Sequence, residues 1–237
     1  MGRAWHGHLG NDRMDITMHE IIGKPRFSAT TRILRRLIRP DSRVVEIGSN
    51  DASFRNDFNV ASWTTVDKYG TPDVQVDINV PDVHLPFADD SCDLIICTEV
   101  LEHLTLGTPF TREMSRVLKP GGTAVISVPN IASLKSRIKV LFGGLPNMAA
   151  SGDCGHPLGG TGMLSDDGHW VAGHVVDFNL ARLKAYLKRA GFQSFSWHKV
   201  PVTIPLSSVS LVIPAWVLPL SFPDFLLVEA SPAKDAE

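Results

Sequence analysis

Between Arg43 and Val128 the chain alternates short, continuous apolar runs with segments whose apolar residues recur every three or four positions. Runs such as Leu94-Ile95-Ile96-Cys97 suit strands buried on both faces, as in a parallel sheet. The pattern predicts strands at Arg43–Gly48, Ser62–Asp67, Asp73–Val76, Asp93–Cys97 and Thr123–Val128, then at Gln193–Lys199 and Phe225–Ala230. A helix is expected from Pro25 to Ile38, with Pro25 suited to the first turn and Pro40 just past the end. Its residues Phe27, Ile33, Leu34, Leu37 and Ile38 make a core-facing stripe, and Arg32, Arg35, Arg36 and Arg39 gather opposite as a solvated face. Phe110, Met114, Val117 and Leu118 mark a second helix, after which Lys119-Pro120-Gly121-Gly122 turns the chain into the next strand. Asp177 reads as the N-cap of a third, carrying Leu180, Leu183, Leu187 and Ala190 inward and ending at Gly191. Strands alternating with helices predict an α/β fold, a Rossmann-like doubly wound sheet with helices on both faces.

Two stretches break the rhythm. After a helical piece at Ile131–Leu141, nine of the 19 glycines fall between Gly143 and Gly173, so residues 131–176 read as an insertion of the lid type. Pro201 to Pro223 holds no charge and five prolines, too many breaks for a membrane-spanning helix. It reads instead as a substrate-side wall, with contact at a membrane surface left open. Residues 1–15 are polar and read as a flexible terminus, leaving 16–237 as a single domain.

With 237 residues, Lys+Arg 23 against Asp+Glu 25 and a net charge of −2, the chain lacks the basic excess of a nucleic-acid-gripping module. The three cysteines, Cys92, Cys97 and Cys154, cannot all pair, and none lies in a C-x-x-C motif, so a reducing, cytoplasmic setting is expected. The amino-terminal residues show neither a secretory signal nor a myristoylation pattern.

The run Val44-Val45-Glu46-Ile47-Gly48-Ser49-Asn50-Asp51-Ala52 predicts a buried strand, a tight turn at Gly48 and a helix start, the crevice where parallel sheets hold nucleotide-like ligands. Asn50 suits the left-handed conformation that a second glycine would otherwise supply. Asp67, ending the next strand, can accept hydrogen bonds from both ribose hydroxyls. A nicotinamide dinucleotide would fit that acid too, but its pyrophosphate needs a closer backbone approach than Gly48-Ser49-Asn50-Asp51-Ala52 offers.

Glu46-x-Gly48, Asp67, Asp77-Ile78, Leu85-Pro86-Phe87 with Cys92-Asp93, Glu99-Val100-Leu101-Glu102-His103 and Leu118-Lys119-Pro120-Gly121-Gly122 together resemble the class I S-adenosylmethionine-dependent methyltransferases. The resemblance runs from about Ser42 to Pro129 and continues more faintly at 174–192 and 225–230. It implies a seven-stranded sheet, six strands parallel and the last antiparallel, with S-adenosylmethionine across the C-terminal strand ends. It also implies Glu46 and Gly48, with Ser49 and Asn50, along the methionine moiety, Asp67 and Lys68 at the ribose, Asp77 at the adenine amino group and Ile78 on the ring. Thr98 and Glu99 would lie under the sulfonium. Asn50 and Ala52 stand where the family usually has glycines, and Cys92 where phenylalanine is common.

An oxygen acceptor must lose a proton, which calls for a base or a metal. Glu99, Glu102 and His103, at i, i+3 and i+4, would share one face of a helix. His103 is a candidate base, and the carboxylates beside it could hold a divalent cation. The pattern is similar to that of metal-using ubiquinone-pathway and small-RNA methyltransferases, and His174 falls where the latter carry a further ligand. Cys154, His156 and His169 match no closed zinc site. Trp170 and Trp216 are candidates for an acceptor pocket. The reading is methyl transfer to a small molecule, at oxygen, with RNA-end 2′-O-methylation or a degenerate binding subunit as alternatives; oligomeric state is left open.

Overall fold

The computed structural model describes residues 25–49, 53–146, 173–206 and 209–233. Helix α1 (Pro25–Leu37) leads to β1 (Arg43–Ile47), then β2 (Ser62–Asp67), β3 (Val74–Gln75) and β4 (Cys92–Thr98). Helix α2 (Gly107–Val117), β5 (Leu118–Pro129) and α3 (Leu134–Leu141) follow. Past the undescribed stretch come α4 (Leu180–Arg189), β6 (Phe192–His198), β7 (Val202–Leu206), β8 (Val209–Ile213) and β9 (Phe225–Pro232). The main sheet has seven strands in the order β3-β2-β1-β4-β5-β9-β6. β3, β2, β1, β4 and β5 pair in parallel, and β9 runs antiparallel to both β5 and β6. Six strands therefore point one way and the last in the chain points back, as expected.

Period-two alternation sorts each strand between two cores. Val45, Ile47, Ile95 and Cys97 join Phe110, Met114, Leu183 and Leu187 beneath α2 and α4. Val44, Leu94, Ile96 and Val125 join Ala29, Ile33 and Leu34 of α1 on the other face. Arg32, Arg35 and Arg39 are exposed, whereas Arg36 reaches back to the buried Glu229 of β9, whose carboxylate also meets His198.

Several expectations change. β5 begins at Leu118, paired with Cys92, and the Lys119–Gly122 turn bulges out before Thr123 pairs with Leu94. Gly121 sits there at φ +75, which glycine adopts at no steric cost. The helix predicted after Gly48 is replaced, among the described residues, by one 3₁₀ turn at Phe54–Asp57, capped by Ser53. Residues 48–61 join β1 to β2, and those of them that are described form no α-helix. The N-cap of α4 is Asn179, whose side chain accepts from the Arg182 N–H, not Asp177. The proline-rich segment contains a hairpin, β7 against β8 in a separate two-stranded sheet, where both strands are edges and tolerate Pro205. No helix among the described residues is long and apolar enough to cross a membrane. The expected flexible terminus, Cys154, His156, His169 and Trp170 lie outside the described residues.

Candidate active site

The parallel strands end together on one rim, and each delivers a polar group there. At the end of β1, Gly48 takes φ +68 and its N–H donates to the Val66 carbonyl at 2.8 Å. A Cβ at this position would lie 2.4 Å from Val100 Cγ2, so the turn admits no side chain. Past β2, the Tyr69 N–H donates to Asp67 Oδ1 at 3.1 Å. Asp77 accepts from Lys68 Nζ at 2.8 Å and from the Asn79 N–H at 2.9 Å. These two contacts hold its carboxyl below the ordinary range, the Lys68 hydrogen bond most of all.

Glu99, just beyond β4, has φ +57, a left-handed conformation that costs a non-glycine residue about 1–2 kcal/mol. It is held there by its neighbour β5: the Glu99 N–H donates to the Ser127 carbonyl at 3.0 Å, and Ser127 Oγ donates to Glu99 Oε1 at 2.8 Å. Strain of this kind, fixed by surrounding structure, concentrates at functional sites.

A cavity of about 390 Å³ opens among these ends, with Gly48, Asp67, Lys68, Asp77, Ile78, Glu99 and His103 in its wall. Sequence reasoning missed Tyr69, Asn79, Val100, Leu104, Gly173 and Val175, which complete it. Adjacency to Asp67 and Asp77 could have pointed to Tyr69 and Asn79. No signal in the sequence marks Gly173 or Val175, which reach the wall because both Val175 and Val176 donate N–H bonds to the Glu102 carbonyl. A second cavity, about 290 Å³, lies at the opposite end of the sheet around Arg39, Asp93 and Lys119. Its Asp93 is already engaged, paired with Lys119 at 2.6 Å and accepting from the Arg43 N–H at 2.8 Å.

Some expected residues stand elsewhere. The buried Glu46 carboxylate accepts from Ser53 Oγ at 2.5 Å, the Phe54 N–H at 3.0 Å and Trp63 Nε1 at 2.9 Å. It therefore ties β1 to the 3₁₀ turn and β2, and neither it, Ser49 nor Thr98 is in the cavity wall. Asn50 lies outside the described residues. Glu99, Glu102 and His103 do not share a helix face: Glu99 precedes a 3₁₀ turn, Leu101–His103, and Glu102 is buried beneath it. The structure instead brings Glu102 and His103 to His174, one ligand atom from each lying within 4.8 Å of the others. Among the described residues, none of 201–223 is in the wall of the cavity, and Trp216 is 81% exposed.

The donor set fits S-adenosylmethionine. Three carboxylates, Asp67, Asp77 and Glu99, face one cavity and offer acceptors for ribose hydroxyls, an adenine amino group and a cationic sulfonium, and the Gly48 turn leaves backbone where a side chain would intrude. Residues 54–126 match the methyltransferase domain family. An uncharacterized methyltransferase of Mycolicibacterium vanbaalenii is 27% identical over 131 residues, 54% of this chain and 44% of that protein. The chain thus spans less than half the length of that relative. A probable S-adenosylmethionine-dependent methyltransferase of Mycolicibacterium smegmatis is 44% identical over 46 residues, 19% of this chain and 18% of its own. A SAM-dependent methyltransferase from Archaeoglobus fulgidus shares the fold, with a TM-score of 0.56 at 16% identity, over 92% of this chain and 99% of that one. The chain thus matches a methyltransferase domain over residues 54–126 and shares the fold of S-adenosylmethionine-dependent methyltransferases.

Within the cavity, Asp67 and Asp77 stand at the side of β2 and β3, and Glu99 and His103 at the side of β4. His103 Nδ1 lies 3.0 Å from the Gly173 carbonyl, and its ring meets that of His174 with centroids 5.1 Å apart at 66°. Burial, most of all, pushes the His103 pKa below 6.5; the Gly173 bond opposes this and the nearby His174 adds to it.

Proposed function

We propose that this chain is an S-adenosylmethionine-dependent methyltransferase that transfers a methyl group to an oxygen atom of a small-molecule acceptor, with His103 as the base. The observation that carries the reading is the hydrogen bond from His103 to Gly173. A carbonyl only accepts, so Nδ1 bears the hydrogen and Nε2 keeps its lone pair. Burial favours this neutral form at pH 7. When bound, S-adenosylmethionine supplies an electrophilic methyl group on its sulfonium. Asp67, Asp77 and Ile78 would hold the nucleoside, and Glu99, pinned by Ser127, would place a carboxylate beside the sulfonium. His103 Nε2 would take the acceptor's proton, a role typically worth about 10²- to 10⁴-fold in rate. The near-neutral charge of the chain favours a small acceptor over RNA.

A second reading rests on the clustering of Glu102, His103 and His174. One carboxylate and two imidazoles suit a divalent transition-metal ion, which would acidify an acceptor hydroxyl directly.

The test is transfer of labelled methyl from S-adenosylmethionine to a panel of phenols and catechols, with amines and thiols alongside, each with Mg²⁺ or Mn²⁺ and with EDTA. Hydroxyl methylation that survives EDTA and collapses in His103→Ala supports the base. Loss with EDTA and recovery with Mn²⁺ replaces it with the metal reading, and transfer to amines or thiols alone overturns the oxygen assignment.

A further inference from the structure

Helix α3 is packed the wrong way round for a helix of a soluble core. Its one buried residue is Ser136, while Ile138 is 45%, Val140 55% and Leu141 79% exposed. The chain continues outward through Phe142, 83% exposed, and Leu145, 51% exposed. Contiguous apolar exposure of this extent marks a surface that meets something. Basic residues run through it: Lys135, Arg137 and Lys139 lie on α3, and residues 131–146 contain no acid, in a chain whose net charge is −2. Lys135 pairs with Asp224, and Arg137 lies over the Phe222 ring at 5.0 Å. The Leu134 N–H donates to the Phe222 carbonyl at 2.9 Å, which fixes the 219–224 segment along the start of the helix. Just upstream, that segment carries Trp216, 81% exposed, and Val217, 53% exposed.

We propose that α3, its Phe142 extension and the Trp216 turn form a docking surface for an anionic lipid bilayer. Outward apolar side chains flanked by Lys and Arg, with an exposed tryptophan beside them, are the composition of an element lying in the headgroup region. Charge complementarity selects the bilayer over a second copy of the chain, which would set the basic helix against itself. The start of this surface is tied to the segment that carries His174, because the Ile131 N–H donates to the Phe178 carbonyl at 2.9 Å. Docking there would present the mouth of the site to molecules held in the bilayer. The proposal does not depend on His103 acting as a base or on oxygen as the acceptor.

The experiment is cosedimentation of the full chain with vesicles of phosphatidylcholine alone and of phosphatidylcholine with phosphatidylglycerol, at low and high salt. Size-exclusion chromatography over a concentration series accompanies it. Binding is expected to the anionic vesicles, weakening with salt, and about fivefold weaker in Lys139→Gln. Leu141→Ser/Phe142→Ser should weaken it by about tenfold or more, with an unchanged circular dichroism spectrum, since both side chains are already in solvent. Trp216→Ser should act in the same direction. Absence of binding at low salt, equal binding to neutral vesicles, or unaltered binding by the double variant overturns the proposal. So does a concentration-dependent dimer that the double variant dissolves while the native chain ignores vesicles.

Discussion

His103 and His174 meet edge to face beside the cavity, with ring centroids 5.1 Å apart, although one follows β4 and the other precedes α4. The link is backbone: Gly173 accepts from His103 Nδ1, and the Glu102 carbonyl accepts from Val175 and Val176. The stretch entering α4 is thus fastened to the turn that leaves β4, and neither histidine can move without the other's surroundings changing.

This coupling predicts a pH signature. His103 must be neutral to accept a proton, so activity should fall as pH drops through a pKa lying below 6.5. A positive charge on His174 is one of the influences that depress it, so His174→Ala should move the acidic limb of the kcat/KM profile upward. His103→Ala should lose about 10²- to 10⁴-fold in kcat with cofactor affinity unchanged. Steady-state profiles of the three proteins, with calorimetric titration of the cofactor, check all of this; an unmoved limb in His174→Ala would count against the coupling.

Asp67 makes a separate claim on binding. If its carboxylate receives two ribose hydroxyls, Asp67→Ala removes two charge-assisted hydrogen bonds, each worth about 1.5–3 kcal/mol. Affinity for S-adenosylmethionine and S-adenosylhomocysteine should therefore fall by at least about tenfold. Isothermal titration with NAD as control measures this. A variant that binds as well as the native chain would remove Asp67 from the cofactor site.

At Gly48, two penalties should separate experimentally. Gly48→Ala puts a Cβ on a residue at φ +68, costing about 1–2 kcal/mol, and drives it into Val100 Cγ2. Adding Val100→Ala removes the collision and leaves the backbone cost. Chemical denaturation should show the double variant recovering part of the loss in Gly48→Ala, beyond what Val100→Ala costs alone. Strict additivity of the two substitutions would refute the close approach.

The sheet was legible because its strands are buried on both faces: runs such as Leu94-Ile95-Ile96-Cys97 have few other uses. Asp67 could be placed because it ends one of the predicted strands, and Asp77 and Glu99 through the family resemblance. What escaped was local and conformational. Nothing in the residue type of Glu99 announces φ +57, and that reversal is what prevents Glu99, Glu102 and His103 from sharing a helix face. Glu46 was expected at the cofactor from the family resemblance, and the structure shows its carboxylate bonded to Trp63 Nε1 and outside the cavity wall. The hairpin at 202–213 was hidden by prolines, which exclude a central strand but are tolerated where both strands are edges.

Arg116 of α2 fastens the loop before β4 to the sheet, and acid should loosen it. Its guanidinium donates to Glu113 Oε1 at 2.7 Å and Oε2 at 2.6 Å, to the carbonyls of Leu85 and Phe87, and to Asp89. The Leu85 N–H donates to Glu113 Oε2 at 2.8 Å. Burial alone would raise the Glu113 carboxyl, but the Arg116 and Leu85 bonds outweigh it and hold the pKa below 4.5. A carboxylate whose pKa is depressed by folding contributes stability above its unfolded value, and that contribution disappears as pH falls through the folded one. Denaturant midpoints should therefore decline as pH drops below about 4.5, less steeply in Glu113→Gln than in the native chain. At pH 7 Glu113→Gln should already cost about 1–3 kcal/mol, because Arg116 keeps its carbonyl partners and the exposed Asp89 but loses the more buried of its two carboxylates. Equal acid slopes in the two proteins would mean that Glu113 titrates alike in the folded and unfolded chains, and that the Arg116 contacts do not hold its charge.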